Sequence, residues 1–362
     1  MKPVAEILSQ KEYSIKDLVA LLSAKGNDRI LLFDRAREVR QAIVGHKVYL
    51  RGLVEFSNIC RKDCLYCGIR QSNSKVHRYI IPDREILDAC RYAWENQFGS
   101  VVLQSGEQCS RVFIRSVDNL IKKIKQLSNN ELGITLSCGE QTAETYRRWY
   151  ESGAHRYLIR IESSNSVLYS RIHPHDKNHL YERRTEALQN LKEIGYQTGT
   201  GVMIGLPFQT IEDLATDLMF FKNIDIDMCG MGPYIEHEDT PLYQFKHLVP
   251  GKNERFDLSL KMIAVLRLIM PAINIAATTA LRTLHPEGRE KGILAGANVL
   301  MPDLTPSKYY KDYELYEGKF CIDEPVDICL NKLKRHLEPS GIEIGFGEWG
   351  DSIHFRTKSI KQ

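Results

Sequence analysis

No stretch of this chain is apolar over anything near the roughly 20 residues that a membrane-spanning helix needs, and no block of like charge interrupts it. Forty-nine Lys and Arg against 46 Asp and Glu leave a net charge of +3. The basic residues are spread rather than clustered, which argues against a nucleic-acid groove or a polybasic membrane patch. Cysteine is scarce, at nine in 362 residues, and too unevenly spaced for a secretory disulfide framework. That usage points to a reducing cytosol. The opening residues, Met1-Lys2-Pro3-Val4-Ala5-Glu6, return to charge at once and show no signal-peptide core, so a cytoplasmic location is expected.

Against that scarcity, three of the nine cysteines, Cys60, Cys64 and Cys67, fall within eight residues as C-x3-C-x2-C. Thiolates are costly to bury without a positive partner, and a metal ion or iron–sulfur cluster is the usual one. Three ligands leave one coordination position open, the mark of a site that does chemistry. A zinc site completed by His77 is the competing reading of the same residues.

The rest of the chain alternates. Residues 1–45 read as a helical extension, with Ile7, Leu8, Leu18, Leu21 and Leu22 at helical spacing. From residue 46 short β-branched runs alternate with amphipathic helices: strands at 47–56, 100–104, 133–137, 155–161, 197–204, 226–231, 273–277 and 297–300, all but the last followed by a helix. Eight such units predict an α/β fold, a closed (β/α)8 barrel over 46–302. Residues 303–362 are expected to form a helical cap on it. Chemistry in such barrels sits at the C-terminal strand ends. The cysteine loop, Gly106-Glu107, Gly139-Glu140, Glu162, Gly205-Leu206-Pro207, Gly232-Pro233 and Thr278-Thr279 all fall there.

C-x3-C-x2-C with an aromatic before the last cysteine, directly after the first barrel strand, resembles the radical S-adenosylmethionine (SAM) superfamily. Within it the segments FSNICRKDCLYCG (56–68), LQSGE (103–107), YLIRIESSN (157–165), GVMIGLP (201–207), GPYIEHEDTP (232–241), AATTA (276–280) and GANVLMP (296–302) resemble the [FeFe]-hydrogenase maturases of the HydE type. The likeness runs from the N-terminal helices to about residue 337. Methylornithine synthase and biotin synthase are near relatives, although the Asn-His-Asn-Leu-Asp strand end of biotin synthase is absent. The resemblance implies a [4Fe-4S] cluster on Cys60, Cys64 and Cys67. It implies reductive cleavage of SAM to a 5′-deoxyadenosyl radical, which attacks a small anionic substrate or iron complex inside the barrel.

The roles it implies can be carried over one residue at a time. Gly106 and Glu107 match the pair that accepts the methionyl ammonium, and Glu162 the carboxylate that meets the ribose diol. Arg184 matches the arginine facing the methionyl carboxylate, with Arg183 as the alternative register. Tyr313 and Tyr66 belong to the cofactor site. Arg160, Thr135, Thr278, Thr279 and Tyr316 match positions facing the substrate. The family has Leu and His where this chain has Cys138 and Ile161. Both are expected close to the substrate cavity, which makes Cys138 a catalytic candidate. Cys321 and Cys329 keep part of a second C-x7-C-x2-C set, but Lys332 stands at its third position, so no stable second cluster is expected. The implied partners are an electron donor such as ferredoxin or flavodoxin and other maturation proteins, with the chain itself a monomer. An amino-acid mutase like methylornithine synthase and a non-catalytic scaffold for an iron complex are the alternatives.

Taken alone, several of these residues have blander readings. Glu162 could simply pair with Arg160, Thr278 and Thr279 could be hydrogen-bonded core, and Cys138 a small buried hydrophobe. The tyrosines of 309–316 could be packing on a helix. Cys90, Cys109 and Cys229 read as inert structural thiols, and His173 and His175 as solvated loop residues.

Overall fold

Strand β1, Lys47–Ser57, is the longest in the molecule, and its neighbours are arranged around it. The computed structural model describes residues 2–319 and 326–359. In chain order the further strands are β2 (Ser100–Ser105), β3 (Gly133–Ser137), β4 (Arg156–Leu158), β5 (Gln197–Thr200), β6 (Met203–Ile204), β7 (Met228–Cys229), β8 (Gly232–Pro233), β9 (Asn274–Ile275), β10 (Val299–Leu300) and β11 (Glu343–Ile344). All pairings between them are parallel, along the path β10-β1-β2-β3-β4-β5-β7-β9. A parallel bridge from Ala276 to Val299 joins the two ends, so the barrel closes. β6 and β8 pair with each other and continue the fifth and sixth barrel strands past Gly201 and Gly230.

The expected helices are present, and local chemistry explains their ends. Thr142 and Thr210 cap the helices Ala143–Glu151 and Ile211–Asn223, the latter with a reciprocal Asp213 bond. Gly195, at φ +101°, ends Tyr181–Ile194 in the left-handed conformation that glycine adopts at little cost. Two short helices were not expected, Ser166–Ile172 and Thr279–Leu284. No helix among the described residues is long and apolar enough to cross a membrane.

Residues beyond β10 serve both mouths of the barrel. Tyr313, Leu315 and Tyr316 lie over the C-terminal rim. At the opposite end β11 pairs with the start of β1, and the next residues floor the barrel. There the Gly350 carbonyl accepts from Asn274 and Arg51, while Asp351 accepts from Arg156 and Gln197. The floor leaves the rim as the open end, and the expected chemistry is at that rim.

Candidate active site

The cysteine loop is held by its own backbone and by one arginine. Arg78 donates to the carbonyls of Asn58 and Ile69, each at 2.8 Å, and to those of Arg70 and Asn73. Gly106 N–H reaches the Ser57 carbonyl at 2.8 Å, which draws the end of β2 against the loop. A Cβ on Gly106 would lie 2.4 Å from the Ile59 carbonyl oxygen, so only glycine fits this crossing.

Cys60, Cys64 and Cys67 line one cavity of about 280 Å³ at the barrel rim. Burial raises all three thiols, Cys64 to about 12. The backbone N–H groups of Glu107 and Lys62 point at the Cys60 sulfur, at 3.3 and 3.4 Å. Such a set is unfavourable as bare thiolates and wants a cation or cluster. His77 does not complete it: its ring is exposed and bonded to Asp312 at 3.1 Å. Among the described residues no three His, Cys, Asp or Glu side chains converge on a point that would ligate one metal ion. A cluster of several irons takes its ligands from wider apart than one zinc ion does, so the donor set fits the cluster.

The same cavity collects most of the residues the family likeness singled out: Gly106, Glu107, Glu162, Arg184, Tyr66, Tyr313, Arg160 and Tyr316. Glu162 sits at φ +65°, a left-handed position that is strained for a non-glycine residue. It is buried, and Arg160 holds one of its oxygens at 2.9 Å. Burial raises its pKa, with Arg160 and Arg184 pulling against the shift. Arg184 rather than Arg183 faces inward. Its Nε donates to Glu140 at 2.6 Å and its Nη1 to the Arg160 carbonyl, whereas Arg183 is exposed. Glu107 turns its carboxylate to Arg61 (2.9 Å) and to the Glu140 N–H (2.8 Å). Gly139, at φ +73°, makes room for it, since a Cβ there would meet Glu107 Oε2 at 2.4 Å.

Sequence reasoning missed the charged frame beneath these residues. Lys62, 3 % exposed, bonds Glu140 at 2.9 Å and lies 3.6 Å from Glu107. Burial pushes the Glu140 carboxyl up, but Arg184 and Lys62 outweigh it and the net shift is down. His173 was expected to be solvated. It is instead buried at 1 % exposure, stacked on Tyr169 at 3.9 Å and within 3.4 Å of the Tyr66 hydroxyl. His175 is exposed as expected. Cys90 and Cys229 are buried, but Cys109 is on the surface.

Other expected substrate residues lie elsewhere. Thr135 lines a separate, smaller cavity of about 20 Å³ low in the barrel, and its hydroxyl has no hydrogen-bond partner among the described residues. Thr278 and Thr279 stand at the rim beside the main cavity, whose lining includes Ala280 but neither threonine. The tyrosines of 309–313 do pack, Tyr309 on Tyr79 at 4.7 Å, yet Tyr313 also reaches the cavity. Cys321, and the side chain of Cys329, lie outside the described residues.

Cys138 and Ile161 require a correction. Ser137 and Gly139 line the cavity, as do Arg160 and Glu162, but neither Cys138 nor Ile161 does. Cys138 and Ile161 are fully buried in the apolar core between barrel and helices. Cys138→Ala is expected to cost about 1–2 kcal/mol of stability and to leave SAM cleavage unchanged. Urea denaturation and a 5′-deoxyadenosine assay check the two halves.

Comparison with known proteins bears on the same residues. The model of the radical SAM superfamily matches residues 54–221. The [FeFe] hydrogenase maturase subunit HydE of Thermotoga maritima is 42% identical over 352 residues, covering 96% of this chain and 97% of that protein. A 3-methylornithine synthase of Methanosarcina acetivorans is 28% identical, covering 93% and 92%. Among solved structures, methylornithine synthase (PylB) superposes with a TM-score of 0.79 at 25% identity, covering 96% of this chain and 98% of that one.

Proposed function

Because this chain belongs to the radical SAM superfamily, as a close relative of the hydrogenase maturase HydE, we propose that it acts in the maturation of the [FeFe]-hydrogenase cofactor or a related pathway. Its substrate on this reading is a small anion or iron complex held in the barrel. The family uses a [4Fe-4S] cluster and SAM, and needs an electron donor. When bound, the cluster supplies the electron that breaks the SAM sulfonium and yields a 5′-deoxyadenosyl radical.

Cys60, Cys64 and Cys67 hold the cluster on this reading, and the chain's other residues place the co-substrate beside it. The turn at Gly106 and Glu107 offers acceptors to the methionyl ammonium. Arg184, fixed through Nε and Nη1, presents Nη2 to the methionyl carboxylate. Glu162, its side chain aimed inward by a strained backbone, accepts from the ribose hydroxyls. Tyr66 and Tyr313 close on the cofactor, and with Leu315 and Tyr316 they keep water from the reacting centre. Arg160 and Tyr316 face the substrate from the rim, and Thr135 from below. Ferredoxin or flavodoxin delivers the electron, the chain works as a monomer, and its place is the cytoplasm.

The observation that carries this is the meeting of Cys60, Cys64 and Cys67, Arg184 and a left-handed Glu162 around one cavity, in a chain 42% identical to HydE. Anaerobic reconstitution with iron and sulfide, then dithionite and SAM, is expected to give 5′-deoxyadenosine. A loaded protein that gives none is a scaffold rather than an enzyme. Formation of methylornithine from added lysine would assign the mutase reading instead.

A further inference from the structure

We infer that the arginine-lined groove outside the cysteine loop is the docking face for an acidic electron-carrier protein of the ferredoxin type. The groove, about 580 Å³, is lined by Arg61, Arg111, Arg115, Arg148 and Arg183. They come from the cysteine loop and three helices, Arg111–Leu127, Ala143–Glu151 and Tyr181–Ile194. Two carboxylates share the wall, Glu140 and Glu144. Glu140 is already ion-paired with Lys62 and Arg184. Arg111, Arg115 and Arg148 are exposed and form no ion pair among the described residues. Like charges gathered around a concavity repel one another and do nothing for the fold. An acidic partner would relieve that repulsion and be steered by it.

The position of the groove makes the partner an electron carrier. Arg61 directly follows Cys60, and its N–H donates to the Glu107 carbonyl at 2.8 Å. Glu107 N–H in turn points at the Cys60 sulfur at 3.3 Å, and Glu107 Oε2 accepts from Glu140, which faces the groove. The groove and the inner cavity thus share a wall of covalent and hydrogen bonds that leads to Cys60. Tyr313 and Tyr316 line the cavity at the rim, and this wall gives a protein donor a second approach to Cys60, from outside the barrel. One electron leaves the donor's reduced iron–sulfur centre and enters the cluster on Cys60, Cys64 and Cys67, with no bond made and no proton moved. The inference rests on the reading that these cysteines hold a redox cluster, and adds where the electron enters.

The test mixes reconstituted protein with an acidic [4Fe-4S] ferredoxin. Association should fall steeply with added salt, and the triple variant R111E/R115E/R148E should associate about tenfold more slowly or worse. Bound ferredoxin should also slow alkylation of Cys109, which is exposed within the groove. Dithionite-driven SAM cleavage by the variant should equal that of the parent. A control, K11E/K16E/K25E, makes the same change in net charge on the N-terminal helices and should bind as the parent does. Unchanged binding by the triple variant, an equal loss in the control, or no protection of Cys109 overturns the docking face. Should the glutamate variant misfold, R111Q/R115Q/R148Q takes its place, with a smaller loss expected and the same overturning outcomes. If ferredoxin binds and protects Cys109 while dithionite yields no 5′-deoxyadenosine, the enzymatic reading fails and the docking face stands.

Discussion

Cys64→Ala is expected to abolish cluster binding and SAM cleavage while the barrel stays folded. Cys64 is the middle ligand of the loop and lies at the edge of burial, 9 % exposed. Desolvation, then the neighbouring Cys60, lifts its thiol to about 12, so at neutral pH the sulfur is ionised only when a cluster takes the charge. The loop around it does not depend on that sulfur. Leu65 N–H bonds the Ile172 carbonyl at 3.0 Å, Cys67 N–H the Cys64 carbonyl at 3.2 Å, and Arg78 gathers the carbonyls on either side. Removing one sulfur therefore costs about 1–2 kcal/mol of packing. Iron and acid-labile sulfide should fall to background, together with 5′-deoxyadenosine, under an unchanged far-ultraviolet circular dichroism spectrum. Global unfolding of the variant would make the cysteines structural and remove the basis for a redox site.

The features legible in the sequence are those written locally. β1, β2 and β3 stand within a residue or two of their expected bounds, because short β-branched apolar runs bounded by turn residues are a local signal. β7, β9 and β10 shrink to two residues each. Side-chain bonds supplement the ladder there: Asn298 accepts from Ile275 N–H at 2.9 Å and donates to Asn274 at 2.8 Å. Helix Ser166–Ile172 is not among the expected elements, although its cap is local: Asn165 accepts from the N–H groups of Val167 and Leu168. The facing of Cys138 and Ile161 was not legible, because both lie past the ends of β3 and β4, where the left-handed Gly139 and Glu162 break the alternation. His173 is buried by local partners, Tyr169 one turn earlier in the same helix and His179 six residues on, and by the distant Tyr66; only the last is out of reach of the sequence. The same holds for Lys62 and Arg184, which sit 78 and 44 positions from Glu140 in the chain.

That distant pairing makes Glu140→Ala the substitution expected to damage the molecule most without touching the cysteines. Lys62 and Glu140 side chains are each 4% exposed and that of Arg184 is 8%. Deleting the carboxylate leaves the buried Arg184 without an ion-pair partner and Lys62 with only its longer 3.6 Å contact to Glu107, a change worth about 3–5 kcal/mol. Arg184 also loses the bond that fixes its Nε, so SAM affinity should fall about tenfold or more alongside stability. Glu140→Gln keeps an acceptor without the charge and should lose less on both measures. The pH dependence carries a sign that tests the electrostatic origin. The folded pKa of Glu140 is lowered, by Arg184 and Lys62 against burial, so its stabilisation is complete above the unfolded carboxyl value of about 4.3 and disappears as pH falls through the folded one. Urea midpoints of parent and Glu140→Ala should therefore differ most at neutral pH and converge below about pH 4. A constant difference across that window would mean that packing, not charge, holds Arg184 in place.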